Sequence, residues 1–328
     1  MKSAPYIKSC FANDGLRRFL NLAQAYLVFK TRPRYVRGQP VMAVLEPTNQ
    51  CPLKCEMCVR PKLGSLKLGS MSYDNFVCLL GQFDYLVSLA LVGLGEPFLN
   101  QDLPKMIHYA KRARKIPYIW VSTNGMVLDN IGYKEVNSMP VEDMLISFDA
   151  ASADTYEKIR KGASFSRLIK NIEGLMEVKR SSGKGPKIIL VTVATNTNSE
   201  ELFEVVKVAA SLGVDKLRMI TVNSDYPNSP GMVFNDPSKE AGKLQALARR
   251  LHLAFEYSKF AECFEPWLRP YITWDGYLTP CASRPNAEEI NFGNVFEKPL
   301  AEIWNSKDFQ AFRSSRPSIC RRCPRTWK

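Results

Sequence analysis

The sequence predicts an α/β protein whose centre is a parallel sheet covered by helices, and two observations support this fold class. Short runs of apolar and β-branched residues alternate with helical patterns from residue 41 to residue 222. The runs are largely apolar, as is typical of strands that are buried on both faces. We assign six strands, at 41–46, 87–93, 117–122, 143–149, 188–195 and 215–222.

Helical patterns precede the first strand and fill the intervals between strands. The first pattern covers 14–30, where Phe19, Ala23 and Leu27 recur at helical spacing. We expect this helix to pack across the open end of the following domain, and a helix lying on a membrane surface is the alternative. The helices between strands are expected near 72–84, 102–114, 128–138, 164–181 and 199–212.

The pattern changes after residue 237. One helix is predicted over 238–255, a hairpin turns at Asp275-Gly276, and another helix lies near 299–314. We therefore divide the chain into a basic N-terminal helical extension (1–40), an α/β body (41–237) and a C-terminal cysteine-containing domain (238–328).

The net charge of +13 is confined to the two ends of the 328-residue chain. Residues 1–40 hold eight Lys or Arg and one Asp, and residues 313–328 hold six Lys or Arg and no acid, so the body is neutral. A neutral body argues against a nucleic-acid groove across it. The basic ends suit an anionic membrane surface, an acidic partner or a phosphorylated substrate, with solvated charge as the alternative.

Nine cysteines without a secretion signal favour metal ligation in a cytoplasmic protein over a disulfide framework. Cys51, Cys55 and Cys58 form a C-x₃-C-x₂-C triad directly after the first strand. Zinc sites and 4Fe–4S clusters normally take four protein ligands. Three thiolates can therefore hold three irons of a cubane and leave the fourth iron open to a small molecule. A zinc knuckle is the alternative, but zinc favours paired C-x₂-C spacing and no His lies nearby.

The position and spacing of this triad resemble the signature of the radical S-adenosylmethionine (SAM) enzymes. The resemblance implies a partial (β/α)₆ TIM-like barrel with its chemistry at the carboxyl ends of the strands. It also implies a SAM-binding 4Fe–4S cluster that cleaves SAM to a 5′-deoxyadenosyl radical, which abstracts hydrogen from a substrate. A reductase, flavodoxin or ferredoxin is the electron donor that this chemistry requires.

Further residues match the SAM-binding pattern of that family. The segment Gly93-Leu94-Gly95-Glu96-Pro97 is similar to the Gly-Gly-Glu-Pro motif that holds the methionine amine, although Leu94 stands where the family commonly has its first glycine. Met57 takes the place of the apolar residue beside the adenine. Polar residues also follow the later strands, where turns and helix caps favour them in any case. The resemblance assigns these as contacts to the ribose or carboxylate: Ser122, Asn124, Ser147, Asp149 and Asn196.

Four cysteines in the C-terminal domain form a second constellation: Cys263, Cys281, Cys320 and Cys323. They resemble the auxiliary-cluster extension of SPASM and twitch radical SAM proteins, in the shortened form with one fully ligated 4Fe–4S cluster. A structural zinc fits the count equally well on physical grounds.

The resemblance leaves the reaction open, and the sequence identifies no catalytic base. We favour oxidation or dehydrogenation of a sugar, cyclitol or related small molecule. A peptide-modifying maturase is the first alternative, although the 40 residues before the barrel are short for a complete peptide-recognition domain. A radical epimerase with Cys263 or a tyrosine as hydrogen donor and a non-catalytic iron–sulfur electron carrier are the others.

Overall fold

A computed structural model describes residues 15–64, 66–221, 238–258, 262–315, 317–320 and 323. Each of the six predicted strands is present, in one sheet of nine strands. The order across the sheet is β7-β6-β5-β4-β3-β2-β1-β8-β9, and neighbours are parallel except in the antiparallel hairpin β8–β9. The strands are β1 (Met42–Leu45), β2 (Ser88–Leu91), β3 (Tyr118–Thr123), β4 (Asp143–Ser147), β5 (Lys187–Ala194), β6 (Lys216–Thr221), β7 (Ala254–Ser258), β8 (Tyr271–Ile272) and β9 (Leu278–Thr279).

Helices connect these strands and pack on one face of the sheet. No helix among the described residues is long and apolar enough to cross a membrane. The helices are α1 (Gly15–Thr31), α2 (Tyr73–Gly81), α3 (Leu103–Arg112), α4 (Leu128–Ile131), α5 (Tyr133–Ser138), α6 (Ala153–Ile159), α7 (Phe165–Ser182), α8 (Leu202–Ser211), α9 (Ser238–Arg250), α10 (Glu265–Leu268), α11 (Leu300–Trp304) and α12 (Lys307–Ser314).

The two faces of the sheet differ in burial because successive strand residues point to opposite sides. Leu91, Val121 and Ile146 are fully buried against the helices. On the other face, called here the inner face, Ser122 and Ser147 keep partial exposure at the ends of β3 and β4. The partly open inner face leaves room for ligands beside the strand ends.

Three predicted elements differ from the structure. The helix predicted over 238–255 ends at Arg250, and its last residues belong to a seventh parallel strand, β7, after His252 takes φ +56°. The helix predicted over 128–138 is two helices separated by Gly132 at φ +97°. The helix near 299–314 is also two, because the Ser306 side chain accepts a hydrogen bond from Phe309 N and starts α12 anew.

The N-terminal helix α1 and its connector are held by the C-terminal region. Trp267 Nε1 donates to the carbonyl of Pro33 over 3.0 Å, and Arg32 pairs with Glu262 at 3.0 Å. The division at residues 40 and 237 stays a prediction, since strands from both sides of residue 237 belong to the same sheet.

Candidate active site

The cysteine triad lies in the loop after β1. Hydrogen bonds to the segment after α6 and from Arg60 hold that loop in place. Lys54 N donates to the carbonyl of Lys161 over 2.9 Å, just after α6. One guanidinium nitrogen of Arg60 donates to the carbonyls of Cys51 and Leu53, over 2.9 and 2.7 Å. These hydrogen bonds hold the backbone around Cys51 and Cys55.

Two side chains point hydrogen-bond donors at these thiols. Asn124 Nδ2 lies 3.8 Å from Cys51 Sγ, and Arg160 Nη1 lies 3.8 Å from Cys55 Sγ. Burial raises the pKa of Cys55 to about 11, and the Cys58 and Cys51 thiols add to this while the Arg160 cation opposes it. Thiols brought together, with a cation and an amide directed at their sulfurs, fit a thiolate-ligated cluster.

Arg160 is buried and forms an ion pair with Asp149, which is fully buried. Burial opposes its charge, but Asp149, Tyr156 and Cys55 raise the pKa of Arg160 above its usual value. The remaining carboxylate oxygen of Asp149 accepts from Val193 N over 2.7 Å. Its hydrogen bonds make Asp149 a residue that positions the Arg160 guanidinium, and its predicted contact with SAM stays a prediction.

The glycine segment after β2 presses against the triad loop. A Cβ atom at Gly95 would lie 2.3 Å from the carbonyl oxygen of Thr48, and one at Gly93 would lie 2.3 Å from Cγ of Glu46. Only glycine permits this approach of the two backbones. Leu94, the departure from the usual motif, uses its N–H to donate to Glu46 Oε1 over 2.7 Å.

Glu96 is buried, and its carboxylate binds protein groups. It accepts from Thr123 Oγ1 (2.8 Å), Asn124 N (2.7 Å) and Phe98 N (3.2 Å). Burial raises the pKa of Glu96 to about 7, although these donors oppose the shift. The carboxylate therefore ties the end of β2 to the end of β3, and its predicted contact with the SAM amine stays a prediction.

Glu46 is a buried residue at this site that received no role from the sequence. It accepts from Leu94 N, from Tyr271 Oη over 2.8 Å and from Trp274 N over 3.3 Å. Burial raises its pKa above the usual value for a carboxyl. Its only sequence signal is an acid directly after an apolar strand, which does not reveal partners more than 200 residues away.

The remaining predicted residues are distributed around the strand ends. Pro97 is buried and begins a 3₁₀ turn, Pro97–Leu99. Asn196 is exposed, whereas Asn198 is fully buried and donates to the carbonyl of Asp149 over 2.6 Å. Asn198, not assigned from the sequence, is thus the asparagine that supports the Asp149–Arg160 pair.

One cavity adjoins the triad, and a second cavity shares Leu94 and Pro285 with it as walls. The first, of about 220 Å³, is lined by Met57, Cys58 and Gly93 together with Tyr271. The second, of about 360 Å³, extends along the β8–β9 hairpin and has polar walls. Those polar residues include Asn49, Lys67, Thr273, Asp275, Asn286 and Glu288.

The four C-terminal cysteines line one small cavity, as the sequence predicted for a shared site. Burial raises the pKa of Cys281, and Glu265 and the neighbouring Cys263 and Cys320 add to the shift. Within the described ranges, no three His, Cys, Asp or Glu side chains are placed to hold a single metal ion. A 4Fe–4S cubane does not need ligands that meet at one metal ion, because each thiolate binds its own iron. Four thiols around one cavity fit such a cluster.

Comparison with known proteins agrees with both constellations. Residues 45–209 match the family model of the radical SAM superfamily, and residues 263–324 match that of the SPASM iron–sulfur cluster-binding domain. These domains imply a SAM-binding 4Fe–4S cluster and an auxiliary iron–sulfur cluster, which confirms the predicted cofactors and fold class.

Individual relatives differ in what they act on. A Pyrococcus furiosus protein named "Tungsten-containing aldehyde ferredoxin oxidoreductase cofactor-modifying protein" is 26% identical over 298 residues, covering 82% of each chain. PqqA peptide cyclase of Xanthomonas euvesicatoria pv. vesicatoria is 24% identical over 310 residues, covering 87% of this chain and 80% of its own. The crystal structure of Streptococcus suis SuiB bound to precursor peptide SuiA shares the fold, with a TM-score of 0.70 at 18% identity over 95% of this chain and 75% of its own.

Proposed function

The chain belongs to the radical SAM superfamily, and from this premise we propose that it modifies a peptide substrate. When bound, the reduced cluster and SAM supply a 5′-deoxyadenosyl radical that abstracts hydrogen. The sequence alone favoured oxidation of a sugar or cyclitol. The relatives support the peptide alternative instead, because one is named a peptide cyclase and a structure of the same fold holds a precursor peptide.

The observation that carries the proposal is the second cavity. Its volume of about 360 Å³ falls within the usual range for ligand sites, and it shares Leu94 and Pro285 with the cavity that Cys58 and Gly93 line. Its walls include the exposed side chains of Lys67 and Glu288, an ammonium and a carboxylate that suit the C=O and N–H groups of a peptide backbone. A peptide lying in it would bring one residue close to the first cavity, whose lining includes Met57 and Gly93, two residues that would contact SAM.

Within this proposal, Cys51, Cys55 and Cys58 hold the SAM-binding cluster, and Arg160 and Asn124 stabilise its thiolates. Cys263, Cys281, Cys320 and Cys323 hold the auxiliary cluster. The shared cavity supports Cys263 as a ligand rather than as the hydrogen donor of an epimerase.

The proposal is tested with the protein reconstituted anaerobically with iron and sulfide. Dithionite and SAM should yield 5′-deoxyadenosine, and a precursor peptide encoded beside the gene should raise that yield and lose two hydrogen atoms by mass. An unchanged peptide, with a sugar oxidised in its place, would refute peptide modification.

Two cysteine variants serve as controls in the same assay. The parent should bind about eight irons, and Cys55→Ala and Cys281→Ala should each bind about four. Cys55→Ala should lose SAM cleavage. Cys281→Ala should still cleave SAM when no peptide is present, because Cys281 lies in the cavity of the four C-terminal cysteines and not in the triad.

A further inference from the structure

Helix α1 carries an exposed apolar face. Phe19, Leu20, Tyr26 and Leu27 are 48%, 56%, 58% and 61% exposed. With 3.6 residues per turn, these side chains and Ala23 fall within an arc of about 120°. Large apolar side chains are seldom exposed so close together without a function.

The opposite side of the same helix is already used. Ala25 and Val28 are buried in the core, and Leu22 and Phe29 pack against it. The helix therefore carries two apolar faces, separated on one side by the polar residue Gln24. Among the described residues, the buried core packs against only the face that holds Ala25 and Val28.

The charge near the exposed face of α1 indicates which kind of partner binds it. Residues 15–40 contain six Lys or Arg and no acid, and Arg32 among them is neutralised by Glu262. A second copy would bring the same positive surface into contact with this one in a two-fold interface, and the like charges would repel. Arg34, Tyr35 and Arg37 in the connector that follows α1 are also exposed, so two more cations and an aromatic ring are available to a partner close to the helix in sequence.

We propose that this face of α1 binds the surface of an anionic lipid bilayer. Leucine and aromatic side chains of an interfacial helix enter the boundary between headgroups and acyl chains, while Lys and Arg contact anionic headgroups. Lys30 lies 5.6 Å from the Tyr26 ring centroid, which places a cation beside this apolar face. The helix lies on the bilayer and does not cross it.

Vesicle flotation of the reconstituted full chain tests this assignment. The protein should float with phosphatidylcholine vesicles that contain about one third phosphatidylglycerol, and at least about tenfold less with pure phosphatidylcholine. The double variant Leu20→Gln/Leu27→Gln should bind the anionic vesicles about tenfold less well, because it removes apolar contacts. Arg34→Gln/Arg37→Gln should weaken binding and reduce its sensitivity to salt.

Matched controls separate the helix face from general effects. Leu251→Gln changes a leucine that is also exposed, and Lys298→Gln changes an exposed cation elsewhere; both should bind as the parent does. SAM cleavage without vesicles should be equal in all variants, which shows that they fold.

Three results would overturn the proposal. The first is no flotation with either vesicle, which would point to an acidic protein as the occupant. The second is equal flotation of the Leu20→Gln/Leu27→Gln variant. The third is a dimer that dissociates in that variant, which would assign the face to a second copy.

Discussion

Glu96 shows how a single buried carboxyl links pH to stability. Its pKa of about 7 in the folded protein, raised from 4.5 by burial, means that the folded state holds this proton more tightly than the unfolded state does. The stability that this proton contributes is complete below pH 4.5 and is lost as the pH rises through about 7.

We therefore expect the free energy of unfolding of the parent, relative to Glu96→Gln, to fall by about 2 kcal/mol between pH 5.5 and pH 8. Glutamine has no proton to lose in this range, so the variant supplies the baseline. Unfolding by urea at both pH values measures the difference. Parallel pH profiles for the two proteins would contradict the assignment.

The buried pair of Asp149 and Arg160 should matter more than a similar pair at the surface. We expect Asp149→Asn to reduce the free energy of unfolding by about 3 kcal/mol, because it leaves the Arg160 cation buried without its counter-charge. Asp129→Asn is the matched control, since the Asp129–Arg167 pair is solvent-exposed and should change stability by less than about 1 kcal/mol. If urea unfolding gave the same loss of free energy for both variants, burial would not determine the cost of breaking an ion pair.

Among the elements, the glycine segment after β2 packs against the triad loop, and we expect this contact to affect the affinity for SAM. Gly95→Ala places a Cβ atom 2.3 Å from the Thr48 carbonyl, so one backbone segment must move. We expect the Kd for SAM to rise at least about tenfold, equivalent to about 1.4 kcal/mol. Isothermal titration of the reconstituted protein with SAM measures it.

The control for this prediction is Gly81→Ala in the last turn of α2, where an added Cβ meets nothing within 4 Å. That variant should bind SAM as the parent does and should be up to about 1 kcal/mol more stable, because alanine favours helix. If both variants bound SAM equally, close approach at Gly95 would not be needed for binding.

Local patterns predicted the six strands of the body and the hairpin, because each depends on neighbouring residues. β7 was missed because His252, rather than a glycine, adopts the positive φ that ends α9, and no local residue signals that turn. The cysteines were found by their spacing. Glu46 and Asn198 act through tertiary contacts and Arg60 through contacts within its own loop, and single polar residues of this kind leave no periodic pattern in the sequence.

At the scale of the whole molecule, Glu46 joins the body to the C-terminal domain. Its carboxylate accepts from Leu94 in one and from Tyr271 and Trp274 in the other. Glutamine would offer one acceptor oxygen and an NH₂ group, so at least one of these donors would face another donor.

We expect Glu46→Gln to accelerate amide exchange in residues 93–95 and 271–279 together, by about tenfold if the local opening free energy falls by about 1.4 kcal/mol. Hydrogen exchange with mass spectrometry resolves both segments. Tyr271→Phe removes a single donor and should loosen the hairpin while residues 93–95 keep their protection. Loosening of only one segment in Glu46→Gln would show that the two domains are not coupled there.

The pairing of β1 with β8 also bears on how the chain is made. Tyr271 and Glu46 are 225 residues apart, and Val44 lies beside Tyr271 in the parallel ladder. A ribosome adding about 5–20 residues per second completes β1 at least about ten seconds before β8 emerges. During that interval the cysteine triad is already outside the ribosome while one side of its supporting strand still lacks a partner. The first cluster can therefore be loaded in the cell before the last quarter of the polypeptide has been made.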